Sequence, residues 1–226
     1  MKFLQHFLIN ILMKKTTLLL VSIILFTNLW CQKFEGTINF SLEYDLPEIM
    51  EQQRSMLPKD MVTYCKKDFS RVEQKTAMGD QIVITNSKTG ASTLLLNMMG
   101  QKMAIQINAE DDRNTSTNKP SINYINESKT IAGYKCDRAT YTVFDEQQQD
   151  SVQVDVFYTD KIAASYNAQF KYLAGFPLEY TINTNGMAVT FLAKDISDEK
   201  LSNKLFIVPD DYEKLTLEDF KKMMGQ

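Results

Sequence analysis

Histidine and tryptophan are almost missing from this chain of 226 residues: each occurs once, as His6 and Trp30. Both lie in a leader-like stretch. Met13-Lys14-Lys15 is a short basic region, and Thr16 to Trp30 follows without a charge, rich in Leu, Ile and Val. That apolar length suits an export signal and falls short of the roughly 20 residues of a membrane-spanning helix. The pattern predicts a signal peptide over residues 1–31, translation starting at Met13 and cleavage near Cys31-Gln32. A lipidation cysteine needs small residues upstream, and Cys31 follows Leu29 and Trp30. The exported part, 32–226, then has no imidazole. This excludes Ser-His-Asp and Cys-His pairs and every histidine metal ligand.

Other scarcities narrow the chemistry further. The eight glycines fall in no phosphate-cradling GxxxxGK or GxGxxG pattern, and no G-x-S-x-G elbow is present. Asp111-Asp112 lacks the spaced oxygen ligands of a calcium loop. Acids are abundant but form no motif. The sequence therefore points to a protein that is not an enzyme and needs no cofactor or metal. Of the 25 basic residues three lie in the leader, which holds none of the 28 acids, so the exported part carries a net charge of −6. No basic stripe exists to meet nucleic acid. No transmembrane span is predicted after cleavage.

Cysteine is nearly as rare. Cys65 and Cys136 remain in the exported part. An oxidising compartment allows one disulfide between them, closing a loop of about 71 residues and worth ~4 kcal/mol on the chain-entropy model. The other reading is two small apolar side chains facing a core. Their spacing rules out a CxxC redox pair.

What the chain does have is strand patterning. Phe34, Gly36, Ile38, Phe40, Leu42 and Tyr44 alternate with polar residues, the period of a strand with one wet face. Strand-like runs recur at 61–67, 69–75, 81–85, 92–96, 102–108, 134–144 and 152–159. Two more, with Leu178, Tyr180 and Ile182 and with Met187, Val189 and Phe191, flank Asn185-Gly186, a strong hairpin signal. Helices are expected after Pro47, over 161–173, and after a Thr216 N-cap. The stretch 109–121 is polar and loop-like. The expectation is α+β, mainly antiparallel β: one domain over 32–226, a large curved sheet or half-open barrel of about ten strands, with two or three short helices packed on one side.

Two features carry functional weight. Ten methionines remain after residue 31, too dispersed for a Cu(I) site but suited to a deformable apolar lining. Seven aromatics crowd residues 157–180. Phe40, Leu42, Tyr44, Val154, Val156, Leu178 and Tyr180 would present the sheet's apolar face. Ile162, Tyr166, Phe170 and Leu173 would form one stripe of the helix over 161–173. Between such layers lies either a solid core or a cavity.

Several phrases carry a family resemblance. Gly36-Thr37-Ile38, Leu94-Leu95-Leu96-Asn97 with Gly100-Gln101-Lys102, Ile131-Ala132-Gly133-Tyr134-Lys135-Cys136, Phe157-Tyr158-Thr159, Gly175-Phe176-Pro177-Leu178-Glu179-Tyr180 and Phe206-Ile207-Val208-Pro209 resemble a family of exported bacterial proteins built on a domain of unknown function. The likeness covers most of residues 34–224. In layout it is similar to the lipoprotein-carrier fold of the LolA and LolB type. The resemblance implies a half-open antiparallel barrel with helices lidding an apolar pocket, and carries no activity with it. Two functions follow as expectations. The leading one is a non-enzymatic periplasmic or envelope-associated protein that binds or carries an apolar small molecule, a lipid or acyl chain, in a cavity between sheet and helices. The alternative is a structural or interaction module of the envelope with a packed core, engaging a protein partner.

Overall fold

The computed structural model describes residues 34–77, 79–98, 100–109, 119–145, 150–184 and 186–225. The expected signal peptide and most of the 109–121 loop lie outside them. Residues 33–226 form one compact unit. Its described strands are β1 Gly36–Asp45, β2 Asp60–Lys66, β3 Phe69–Thr76, β4 Gly79–Asn86, β5 Ser92–Met98, β6 Gln101–Ile107, β7 Ser121–Ile131, β8 Tyr134–Asp145, β9 Asp150–Thr159, β10 Phe176–Thr184, β11 Met187–Asp198 and β12 Glu213–Thr216. They join in a single open, curled sheet in the order β12-β6-β5-β4-β3-β2-β1-β11-β10-β9-β8-β7. Every pairing is antiparallel except β12 with β6. The expected class, α+β and mainly antiparallel, is the class observed.

The turns follow from local chemistry. Ile131 pairs with Tyr134, so Ala132-Gly133 is a two-residue hairpin loop with φ of 47° and 83°. Positive φ at both positions matches the right-handed twist of the flanking strands. Gly175 has a different reason: a Cβ there would lie 2.0 Å from the carbonyl oxygen of Thr159. Only glycine lets the chain enter β10 so close to the end of β9.

Cross-strand partners share a face, and one row of partners crosses most of the sheet. It runs Ile196, Ile38, Thr63, Val72, Val83, Leu94, Ile105, Leu215. On this face the larger core gathers residues of β1, β2 and β8–β11 under the segment 160–175. On the opposite face Ile84, Leu95 and Ala104 form a smaller core, covered by Phe206, Val208 and Tyr212 of the C-terminal segment. That segment is pinned where Arg71 Nη1 donates to the Leu205 carbonyl at 2.8 Å and Lys66 Nζ donates to the Leu201 carbonyl.

The helices differ in kind from the expectation. The stretch after Pro47 is a 3₁₀ helix, Glu48–Met56. The predicted helix over 161–173 is absent: only Ala164–Tyr166 forms a 3₁₀ turn. Asn167 accounts for this, because its Oδ1 accepts the backbone N–H groups of Gln169 and Phe170 at 3.1 and 3.3 Å. A side chain that takes local N–H groups offers the backbone an alternative to the helical ladder. Another 3₁₀ turn, Asn203–Phe206, lies in the C-terminal segment. The last helix forms as expected: α1, Leu217–Met223, has Thr216 Oγ1 accepting from the Asp219 N–H at 3.1 Å.

Candidate functional site

The eleven residues expected to line a cavity are brought together. Phe40, Leu42, Val154, Val156, Ile162, Tyr166, Phe170, Leu173, Leu178 and Tyr180 are buried in the larger core, and Tyr44 packs against it. What joins them is direct packing. Phe170 has no exposed surface and meets two tyrosines edge-on, Tyr141 at 5.0 Å and Tyr180 at 4.9 Å. Tyr180 in turn stacks on Phe191 at 4.7 Å. Phe40 lies 6.5 Å from Phe176. The segment 160–175 is therefore a plug seated in this half of the face.

Polar tips anchor that plug. The Tyr166 hydroxyl reaches the carbonyls of Phe34 and Lys67 at 3.1 and 3.0 Å. The Tyr141 hydroxyl donates to the Gln169 carbonyl at 2.9 Å. Burial pushes the Tyr141 phenol up to about 12, and raises Tyr166 and Tyr180 as well. These groups stay protonated and act as hydrogen-bonding handles on apolar bodies.

The same face continues past the plug onto β4, β5 and β6. There Val83, Leu94, Leu96, Met103 and Ile107 are only partly buried, and they belong to neither core. Register places Val83 beside Leu94 and Leu96 beside Met103, with buried Ile105 next to Leu94. Met98 at the end of β5 is exposed. The result is an apolar wall three strands wide. Sequence reasoning did not single it out, because Leu94-Leu95-Leu96 shows no alternation. The cause is that β5 is apolar on both sides: Leu95 faces the smaller core, while Leu94 and Leu96 face the other way.

No poised acid–base pair emerges among the described residues. The shifted carboxyls, Glu35, Glu51, Asp211 and Asp219, are all lowered, each by hydrogen bonds to its charged form. No group of three His, Cys, Asp or Glu side chains converges as metal ligands among the described residues. The disulfide allowed by the sequence is corrected: Cys65 and Cys136 are free buried thiols. Four strands, β1, β11, β10 and β9, separate β2 from β8 in the sheet. The two strands do not pair, so no ladder brings the two thiols together. Desolvation raises both thiols, Cys136 to about 11 and Cys65 further, which makes them inert apolar fillers.

No helix among the described residues is long and apolar enough to cross a membrane. No family model matches the chain, and no curated protein matches it in sequence. Among solved structures it is similar to PNGF-II in a P2₁ crystal, with a TM-score of 0.54 and 12% identity over 85% of this chain. It spans only 34% of that protein's length. It is also similar to LprF from Mycobacterium bovis, at 9% identity and TM-score 0.34, over 81% of this chain and 91% of that one. A likeness of 6% identity and TM-score 0.34 links 76% of it to 90% of the Mycobacterium tuberculosis lipoprotein LppX. At 12% identity the PNGF-II likeness is one of fold alone.

Proposed function

We propose that this chain is an exported, non-enzymatic envelope protein that holds an acyl chain or another apolar small molecule against the wall on β4–β6. The single observation carrying this is the partly buried set Val83, Leu94, Leu96, Met103 and Ile107, continuous with the larger core yet part of neither. Covering about 200 Å² of such a surface is worth about 5 kcal/mol before the costs of association. Methionines at 98 and 103 let the wall adapt to a chain of variable shape. Nothing in this reading needs bond chemistry. On this reading the lining lies beside the residues expected from sequence, which pack on one another around the segment 160–175.

Native mass spectrometry of protein recovered from the envelope, paired with uptake of a fluorescent fatty acid, tests the proposal. Lipid masses and saturable uptake are expected, with uptake abolished when Leu94→Gln and Leu96→Gln are combined. A bare protein mass with no uptake would end the carrier reading. It would leave the structural or interaction module, which the filling of the other half by Phe170 and its tyrosine neighbours favours.

A further inference from the structure

Independently of the apolar wall, we propose that the depression at the β7 edge of the sheet is a binding site for a neutral saccharide unit. The wall and this edge lie toward opposite ends of the strand order. Pairing of β7 with β8 steps from Ile125 opposite Arg138 to Ser128 opposite Asp137. Two residues of β7, Asn126 and Glu127, therefore face one step of β8 with no partner, and the strand bows outward. A depression of about 500 Å³ opens beside the bulge. This is within the roughly 300–1,000 Å³ typical of small-molecule sites.

Its lining combines an aromatic face with paired polar groups. Tyr124 is 51% exposed, and its ring stands edge-on to Tyr158 at 5.8 Å. Tyr158 is buried and forms the floor. Around them stand Asn126, Ser128, Lys135 and Asp137. Its charged groups are engaged in ion pairs: Lys135 lies 3.2 Å from Asp137, and Glu127 lies 2.7 Å from Arg138, which stands outside the lining and also holds Asp155 at 2.7 Å. A cationic ligand would have to compete with Lys135 and Arg138 for the carboxylates they already hold, while an anionic one would be repelled by Glu127 and Asp137. A neutral ring of hydroxyls suffers neither penalty. Its hydroxyls donate to Asp137 and accept from Lys135 and the Asn126 amide, groups that supply both roles. Its C–H face lies on the bare ring of Tyr124, which offers a rigid, amphipathic contact.

The test is backbone amide NMR of the full exported chain titrated with millimolar cellobiose, maltose, lactose and N,N′-diacetylchitobiose, and separately with tetramethylammonium chloride. Saturable shifts confined to Tyr124, Asn126, Ser128 and Asp137 with at least one saccharide are expected. Tyr124→Ala should weaken that response at least about tenfold, as loss of an aromatic contact does, whereas Tyr124→Phe should keep it. Asn126→Ala, on the unpaired bulge, should give the same loss and serves if Tyr124→Ala does not fold. No shift with any of the four saccharides, a response to tetramethylammonium alone, or shifts unaffected by these substitutions would overturn the site. Fatty-acid uptake is read separately, so failure here does not touch the wall.

Discussion

Replacing Phe170 with alanine separates a filled core from a lid. Phe170 is wholly buried, is fixed by the Asn167 turn, and lies between the rings of Tyr141 and Tyr180. Truncating a buried phenylalanine costs about 3–5 kcal/mol, and two edge-on aromatic contacts place this residue toward the top of that range. For a chain of this size each kcal/mol moves the melting point by about 2–4 °C, so Phe170→Ala should lower it by roughly 8–20 °C. Urea unfolding followed by tyrosine fluorescence and far-UV circular dichroism measures the change, and unaltered m-values would confirm that two-state unfolding is retained. The variant should still take up fluorescent fatty acid at temperatures where it is folded, because the β4–β6 wall is untouched. The paired Leu94→Gln and Leu96→Gln changes should do the reverse, abolishing uptake at a cost of about 1 kcal/mol per partly buried site. A loss below about 1.5 kcal/mol for Phe170→Ala, or uptake lost with it, would show that the segment 160–175 is a movable cover and that the ligand site lies beneath it.

Ala132→Asn should raise stability by about 1 kcal/mol, since asparagine tolerates the left-handed φ of 47° better than alanine; a neutral or lower urea midpoint would count against the hairpin geometry. Thiol titration should find no reactive cysteine in the native protein and two in urea, with no mass change on reduction, because Cys65 and Cys136 are free and desolvated. Glu35 accepts the Leu201 N–H at 2.7 Å and lies 3.0 Å from Lys66 Nζ, which lowers its pKa on folding. A lowered carboxyl contributes stability above its unfolded pKa of about 4.3 and loses it as pH falls through the folded value. Glu35→Gln should therefore flatten the pH dependence of stability below about pH 4.3, and an unchanged acid limb would refute that assignment. Gly175→Ala should fail to reach the native fold in a refolding assay, since its Cβ would strike the Thr159 carbonyl.

The alternation in β1 and the Asn185-Gly186 turn signal after Ile182 are local properties. A strand's two-residue period and a turn's φ are fixed by a few neighbouring side chains, so the antiparallel sheet was legible in the sequence. The cap at Thr216 was legible for the same reason. β7 was not. Its apolar residues Ile122 and Ile125 are separated by Asn123 and Tyr124, and the bulge at Asn126-Glu127 breaks the period. The spacing of Ile162, Tyr166, Phe170 and Leu173 suggested a helix, yet their burial comes from a plug whose turns are set by Asn167 and by what the sheet leaves room for. Which half of one apolar face is filled, and which stays partly bare, is likewise decided by where a non-local segment comes to rest. Period-two patterning assigns a side chain to a face. Only the packing of distant segments decides whether that face becomes core or surface.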